Sequence, residues 1–350
     1  MRYDDVYLMS TGVCLPDRVP VAEAVAEQNA SPQLLRSGIS AVCVEPSRSS
    51  AELAAEAARE ACANHPPGDL RAILHSYLWF KGAELWTAAQ YIGHAVGADS
   101  CPAYDMSQTC NGGMAALELA AGMVRGAGGS VLVTTGDRFA EPAFDRWGRH
   151  SRPDGAAPPD APWAILGDGG SAVLVGTSGG PARLLSTATA VDNSLEGEAR
   201  GLGFEPGPSS TPLDFARMRA EYFANDAAVS RHLDRMAAAI MGALDTVLAD
   251  GDTKLADVDW FVPPVVTHQE LTGLLAFLLH TEESATTWEF GRTTGHLGAG
   301  DQVAGLDHLL RSGAAGPGQR VLMIGGGTGY SCTCALVEVT EPGTVPDGSA

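Results

Sequence analysis

Two spacings of apolar residues divide this chain into strands and helices. Val6–Met9, Ala72–His75, Val131–Thr135, Ala172–Val175, Arg183–Val191, Trp260–Val262, Val321–Ile324 and Ala335–Val339 are short apolar or β-branched runs that read as strands. Between them a helical period predicts helices over Val21–Glu27, Ser50–Ala63, Leu85–Val96, Met114–Val124, Glu270–His280 and Gln302–Leu310. Leu213–Leu248 reads as mostly helical, Ser49-Ser50 supplies helix caps, and Pro32–Gly38 reads as a loop. Phe139 to Pro162 is a long excursion rich in Pro, Arg and Asp, and loops of that length are usually functional or interfacial. In each half a helix feeds a buried strand (Val131–Thr135, Val321–Ile324), then a turn, then a closing strand (Ala172–Val175, Ala335–Val339). The repetition predicts a duplicated α/β unit. Its halves span 1–178 and 179–340 with a break near Gly179-Gly180-Pro181, and a Pro/Gly-rich tail, 341–350, is expected to fray.

Composition narrows the function classes. A chain of 350 residues with 45% hydrophobic and 18% charged content fits an ordered globular protein with a large core. Lys+Arg 22 against Asp+Glu 42 gives 22 − 42 = −20, which disfavours nucleic acid and anionic membrane as partners. There is no signal peptide and no apolar run long enough to span a bilayer, and the seven cysteines are scattered, so the expectation is a reduced, cytoplasmic protein. Cys332-Thr-Cys334 lacks the spacing of a redox or zinc pair and fits alternation in a strand; no metal site is expected.

One stretch carries candidate chemistry. Pro102–Met106 reads as a strand and Met114–Val124 as a helix, so Cys110 falls at the turn between them. Free N–H groups and the positive end of a helix dipole favour an anion there, which suits a nucleophilic thiolate. Gly112 and Gly113 are expected to leave room for a substrate beside the sulfur. Asp168, in a Gly-Asp-Gly turn, reads as a structural carboxylate bonded to backbone.

Asp99-Ser-Cys-Pro-Ala-Tyr-Asp-Met-Ser-Gln-Thr-Cys110-Asn-Gly-Gly resembles the nucleophile segment of the ketosynthase III family of the thiolase superfamily. Arg36-Ser-Gly-Ile39, Gly167-Asp-Gly169, Val258-Asp-Trp-Phe-Val-Pro263 and the close from Gly316 to Val337 extend the likeness over nearly the whole chain. The resemblance implies an α/β thiolase fold of five layers, αβαβα, a homodimer, and an acyl group carried on Cys110. The donor would be a phosphopantetheine thioester, on acyl carrier protein or coenzyme A, with no tightly bound cofactor. Two positions depart from the condensing enzymes of the family. Where they place a His after Val-Pro, this chain has Pro264; where they keep an Asn late in the chain, it has His296. That His and Asn stabilise the enolate of decarboxylative condensation.

His296 with Asp301 five residues on instead resembles the ketosynthase-III-like acyltransferases that use a Cys-His-Asp triad. Five residues turn about 500° on a helix, so the pair can meet only if His296 lies on the glycine-flanked loop and Asp301 just inside the next helix. The implied reaction moves an acyl group through Cys110 to a hydroxyl, amine or thiol of a small-molecule acceptor, as in natural-product biosynthesis. The glycine turn Gly325–Tyr330 implies an oxyanion hole from the Gly329 and Cys110 N–H groups. Coenzyme A users of the family stack its adenine on a Trp where Pro32 stands here, which favours a carrier protein. Arg36, Arg217, Arg219, Arg231 and Arg235 are the candidate docking cations. Two alternatives stand beside this reading: a condensing synthase that uses His268, displaced by a four-residue insertion, and a catalytically silent partner subunit.

Overall fold

The computed structural model describes residues 1–27, 30–139, 144, 146–147, 163–200, 222 and 226–340. Its strands are β1 (Arg2–Cys14), β2 (Arg18–Pro20), β3 (Ala41–Cys43), β4 (Leu70–Ser76), β5 (Ala103–Met106), β6 (Ser130–Asp137), β7 (Gly169–Gly176), β8 (Ala182–Val191), β9 (Trp260–Val262), β10 (Arg320–Gly327) and β11 (Ser331–Val339). Nine of them join in the order β5-β4-β6-β7-β1-β8-β11-β10-β9, while β2 and β3 form a separate ribbon. The order reads alike outward from the β1–β8 join. β1 runs antiparallel to β7, β7 antiparallel to β6, and β6 parallel to β4. On the other side β8 runs antiparallel to β11, β11 antiparallel to β10, and β10 parallel to β9.

Alternation within these strands builds the layers. Val131 and Val133 face one way and Leu132 the other; Val321 and Met323 oppose Leu322 and Ile324. Both faces are covered, which is why the strands are continuous apolar runs in the sequence. The middle layer consists of the Gly112–Ala127 helix, through Met114, Leu117, Ala120 and Val124, and the Asp301–Ser312 helix, through Val303, Leu306 and Leu309. On one outside the Ser50–Ala61 helix packs Leu53, Ala54, Ala57 and Ala58 against Ile73, Leu132 and Leu174. On the other the Asp226–Asp250 helix packs Ile240, Ala243, Leu244 and Val247 against Leu185, Leu322 and Leu336. Helix, sheet, helix, sheet, helix: this is the five-layered thiolase fold.

Local signals explain several element ends. Ser49 caps its helix in a full capping box, its backbone N–H donating to Glu52 at 2.7 Å and its hydroxyl accepting from Glu52 N. Asp105, on β5, accepts from Ala88 N and Ala89 N and so opens the Ala88–Ala95 helix from a neighbouring strand. Elsewhere tertiary context moved the ends. β1 runs from Arg2 to Cys14, beyond the apolar Val6–Met9, because it is central and paired on both sides. The helix expected over Glu270–His280 is helical from His268 to Leu274, continues as a π turn over Leu275–Leu279, and stops where His280 takes a φ of +48°. Pro32–Arg36 is a short 3-10 turn rather than an open loop. Most of the Phe139–Pro162 excursion, the first part of Leu213–Leu248 and the tail 341–350 lie outside the described residues.

Candidate active site

Cys110 sits in the 3-10 turn Thr109–Asn111 that leads from β5 into the Gly112–Ala127 helix. Thr109, just before it, has a φ of +50°, a conformation costly for a β-branched residue, of order 1–3 kcal/mol. The turn is held from β11. Asn111 donates to Thr333 Oγ1 at 2.9 Å and Ser331 Oγ at 3.2 Å and accepts from Thr333 N, while Gln108 donates to Ser331 Oγ. Gly112 and Gly113 do not open space for a substrate, contrary to the expectation from sequence. A Cβ on Gly112 would collide with Ser76 Oγ, and one on Gly113 with the Ala299 carbonyl. Their bareness lets the helix dock on β4 and on the loop that carries the histidine. Gly113→Ala should therefore destabilise the fold by about 1–3 kcal/mol in urea titrations, the usual cost of overpacking.

His296 arrives from the second half. Its backbone is pinned between Ile165 and Gly167, with His296 N donating to Ile165 O and Gly167 N to His296 O, each at 2.8 Å. Gly295 before it has a φ of +74° and lies on the Ile165 carbonyl, and Gly167 lies on Thr294 O, so each glycine is required by close backbone approach. The ring then spans sulfur and carboxylate: Nε2 is 3.0 Å from Cys110 Sγ and Nδ1 is 2.5 Å from Asp301 Oδ2. Asp301 is the first residue of the Asp301–Ser312 helix, which meets the geometric condition read from the spacing. Its Oδ1 accepts from Leu297 N and its Oδ2 from Val265 N, both at 2.7 Å. Val265 follows Pro264, so the segment that lacks the condensing histidine instead lends a backbone N–H to this carboxylate. Trp163 closes the far side of the imidazole, edge to face at 5.2 Å between ring centroids.

Electrostatics follow from this enclosure. Burial alone would lower the His296 pKa, but the Asp301 carboxylate and then Cys110 outweigh it and hold the proton well above the ordinary histidine range. Burial pushes the thiols of Cys14, Cys43 and Cys62 up to about 11 and raises that of Cys101. Among the described residues, none of these four has an imidazole on its sulfur. Cys332 and Cys334 lie on β11 with their sulfurs 4.0 Å apart, on one face of the strand.

The other candidates fall elsewhere. His268 begins the His268–Leu274 helix, is half exposed, and pairs with Glu283 at 2.7 Å; it makes no hydrogen bond to Cys110. Asp168 is buried, accepting from Glu45 N, Phe139 N and the Arg146 guanidinium, a structural tie between loops. In the glycine turn, Gly327 lies against Gln108 and Thr109, whereas Gly329, with a φ of +106°, faces Glu196. Arg36 and Arg231 are exposed, Arg235 is engaged with Asp192 and Ser194, and Arg217 and Arg219 lie outside the described residues. Sequence reasoning missed Trp163 and Asp137. Asp137 is fully buried beside the histidine loop, its pKa pushed up to about 7 by burial. The only sequence signal for it is an acidic residue closing an apolar strand.

Comparison with known proteins agrees with this architecture. Residues 104–193 match the family model for 3-oxoacyl-[acyl-carrier-protein (ACP)] synthase III, and residues 248–339 match the model of its C-terminal part. A beta-ketoacyl-[acyl-carrier-protein] synthase III of Mycobacteroides abscessus is 26% identical over 95% of this chain and 94% of its own. The acetoacetyl CoA synthase NphT7 of Streptomyces sp. strain CL190 is 29% identical over 71% of each. Among solved structures, the acyltransferase ChlB3 superposes with a TM-score of 0.87 at 31% identity, covering 97% of this chain and 99% of that one. With the fold and these matches in agreement, the chain belongs to the ketosynthase III family of the thiolase superfamily.

Proposed function

We propose that this protein is an acyltransferase that carries the acyl group on Cys110 and delivers it to a hydroxyl, amine or thiol of a small molecule. The observation that carries the reading is the unbroken line from Cys110 Sγ through His296 to Asp301, 3.0 and 2.5 Å long. In the first half-reaction the sulfur attacks the donor thioester carbonyl and the new C–S bond forms as the old one breaks. The departing thiolate takes the proton from His296 Nε2. In the second, Nε2 removes the acceptor's proton as its heteroatom attacks the acyl carbon, and the sulfur leaves. Acylation also removes the thiolate that helped hold the imidazole proton. His296 is therefore a readier base in the acyl-enzyme than in the free enzyme. Gly329 and Cys110 N–H groups are the proposed oxyanion hole.

The donor is a phosphopantetheine thioester, of a carrier protein rather than coenzyme A in view of Pro32, with Arg36, Arg217, Arg219, Arg231 and Arg235 as docking cations. We assign the catalytic parts to two halves, 1–178 with the nucleophile and 179–340 with the base and its carboxylate. The protein acts in the cytoplasm as a homodimer in a natural-product pathway. The edge strand β5, with Tyr104 exposed, offers a surface for a second copy.

Product analysis with acyl and malonyl thioesters tests the reaction type. A simple acyl donor should add one acyl mass to the Cys110 peptide, and malonyl donors should yield no β-ketoacyl product. His268→Ala should change transfer by less than about twofold, as expected of a half-exposed residue outside the site. Robust β-ketoacyl formation that is lost in His268→Ala would establish the condensing synthase instead.

A further inference from the structure

Asp137 ends β6 with none of its side chain exposed, and it joins loops from the two halves of the chain. Leu78 N and Trp79 N, just beyond β4, donate to its Oδ1 at 2.8 and 2.9 Å, and Ala299 N donates to its Oδ2 at 3.3 Å. Gly298 lies against the carboxylate with a φ of +63°, so closely that a Cβ there would collide with Oδ2. Ala299 in turn backs the start of the nucleophile's helix, its methyl against Gly112 and its carbonyl against Gly113. Leu297–Gly300 is the stretch between His296 and Asp301, so whatever holds it also sets the distance from imidazole to sulfur. We infer that Asp137 is a positioning residue of this site: its carboxylate clamps the Leu297–Gly300 turn and thereby seats the His296 ring on Cys110. The inference shares with the proposed function only the pairing of Cys110 with His296.

The clamp has a built-in dependence on protonation. Burial pushes the Asp137 carboxyl up to about 7, against the pull of the Trp79, Leu78 and Ala299 amides and of His296. Among the described residues, His296 is the titratable group that faces it. Arg138, next in the chain, turns away to the Glu45 and Pro46 carbonyls, and Asp168, beside the paired residue Gly169, is bound to Arg146. Below about 7 the carboxyl is neutral, as an asparagine would be. A proton or amide hydrogen on Oδ2 then meets the Ala299 N–H donor to donor, and the negative charge that favours imidazolium is gone.

Alkylation of Cys110 by iodoacetamide, followed by peptide mass from pH 5.5 to 8, tests this in the full chain and in Asp137→Asn. The wild-type rate should match the variant's near pH 5.5 and exceed it by about three- to tenfold at pH 8, up to one pKa unit of coupling. A ratio that is the same at every pH would mark Asp137 as a purely structural carboxylate and overturn the inference. If the variant does not fold, amide exchange of Leu297–Gly300 in the wild type gives the second reading, after correction for intrinsic rates. Protection should fall between pH 8 and 6; unchanged protection overturns the clamp. Alkylation needs only the thiol, so a chain with the expected pH ratio that no thioester acylates would leave this inference standing and remove the acyl-transfer reading.

Discussion

Cys110→Ala is expected to abolish acyl transfer, with turnover reduced by about 10⁴-fold or more. Six other cysteines remain in that variant, and none substitutes for it. Cys14, Cys43 and Cys62 are held near 11 by burial, so they carry almost no thiolate at neutral pH. Cys332 and Cys334 are fully buried in the sheet. Among the described residues, only Cys110 has an imidazole nitrogen on its sulfur, at 3.0 Å, and it stands before the N-terminus of a helix. Intact mass after incubation with an acyl thioester should show one added acyl group in the wild type and none in Cys110→Ala. Acyl label retained in the variant on Cys14, Cys43 or Cys101 would sink the assignment.

His296→Ala should be nearly as severe for transfer from a pre-acylated enzyme, because an alcohol acceptor of high pKa cannot attack without a base. Asp301→Asn should keep the fold yet slow transfer by about 10²–10⁴-fold, the range seen when a triad carboxylate is neutralised. The asparagine amide would face either His296 Nδ1 and the Val265 amide or the Leu297 amide, so at least one of these hydrogen bonds is lost whichever way it turns. The sign of the pH effect follows from the charge removed. Asp301 raises the His296 pKa, and transfer needs the neutral ring, so the rate climbs as pH rises through that pKa. In Asp301→Asn the climb should occur at lower pH while the plateau falls. The double variant should be little worse than His296→Ala, since the two residues act as one unit. Wild-type transfer rates in Asp301→Asn would rule out the carboxylate as the histidine's partner.

Much of this was legible in the residues because the informative features are local. The strand cores at Val131–Thr135 and Val321–Ile324 are covered on both faces, so their apolar runs stand out without knowledge of the partners. Cys110 before one helix and Asp301 at the start of another are fixed by turn and helix chemistry over a few residues. What escaped depends on contacts far along the chain. The roles of Gly112 and Gly113 turn on Ser76 and Ala299, one of them nearly two hundred residues away in sequence, and only the packed structure brings those atoms together. Asp137 is the same case: its partners Leu78 and Ala299 are separated by most of the chain. The length of β1 was misread because its ends are polar, and pairing with both β7 and β8 overrides that polarity.

The meeting of Cys110 and His296 across 186 residues has a consequence for how the chain is made. Translation delivers the thiol long before the imidazole, and the Ile165–Gly167 segment that pins His296 is also finished first. A nascent chain that has folded only its β1–β7 portion thus holds a sulfur with no base and an empty cradle for one. On the proposed mechanism it should be unreactive toward thioesters. On the same mechanism, reactivity is expected only once His296 is seated and β11 has docked and braced Asn111, so chains truncated before His296 should take up no acyl group.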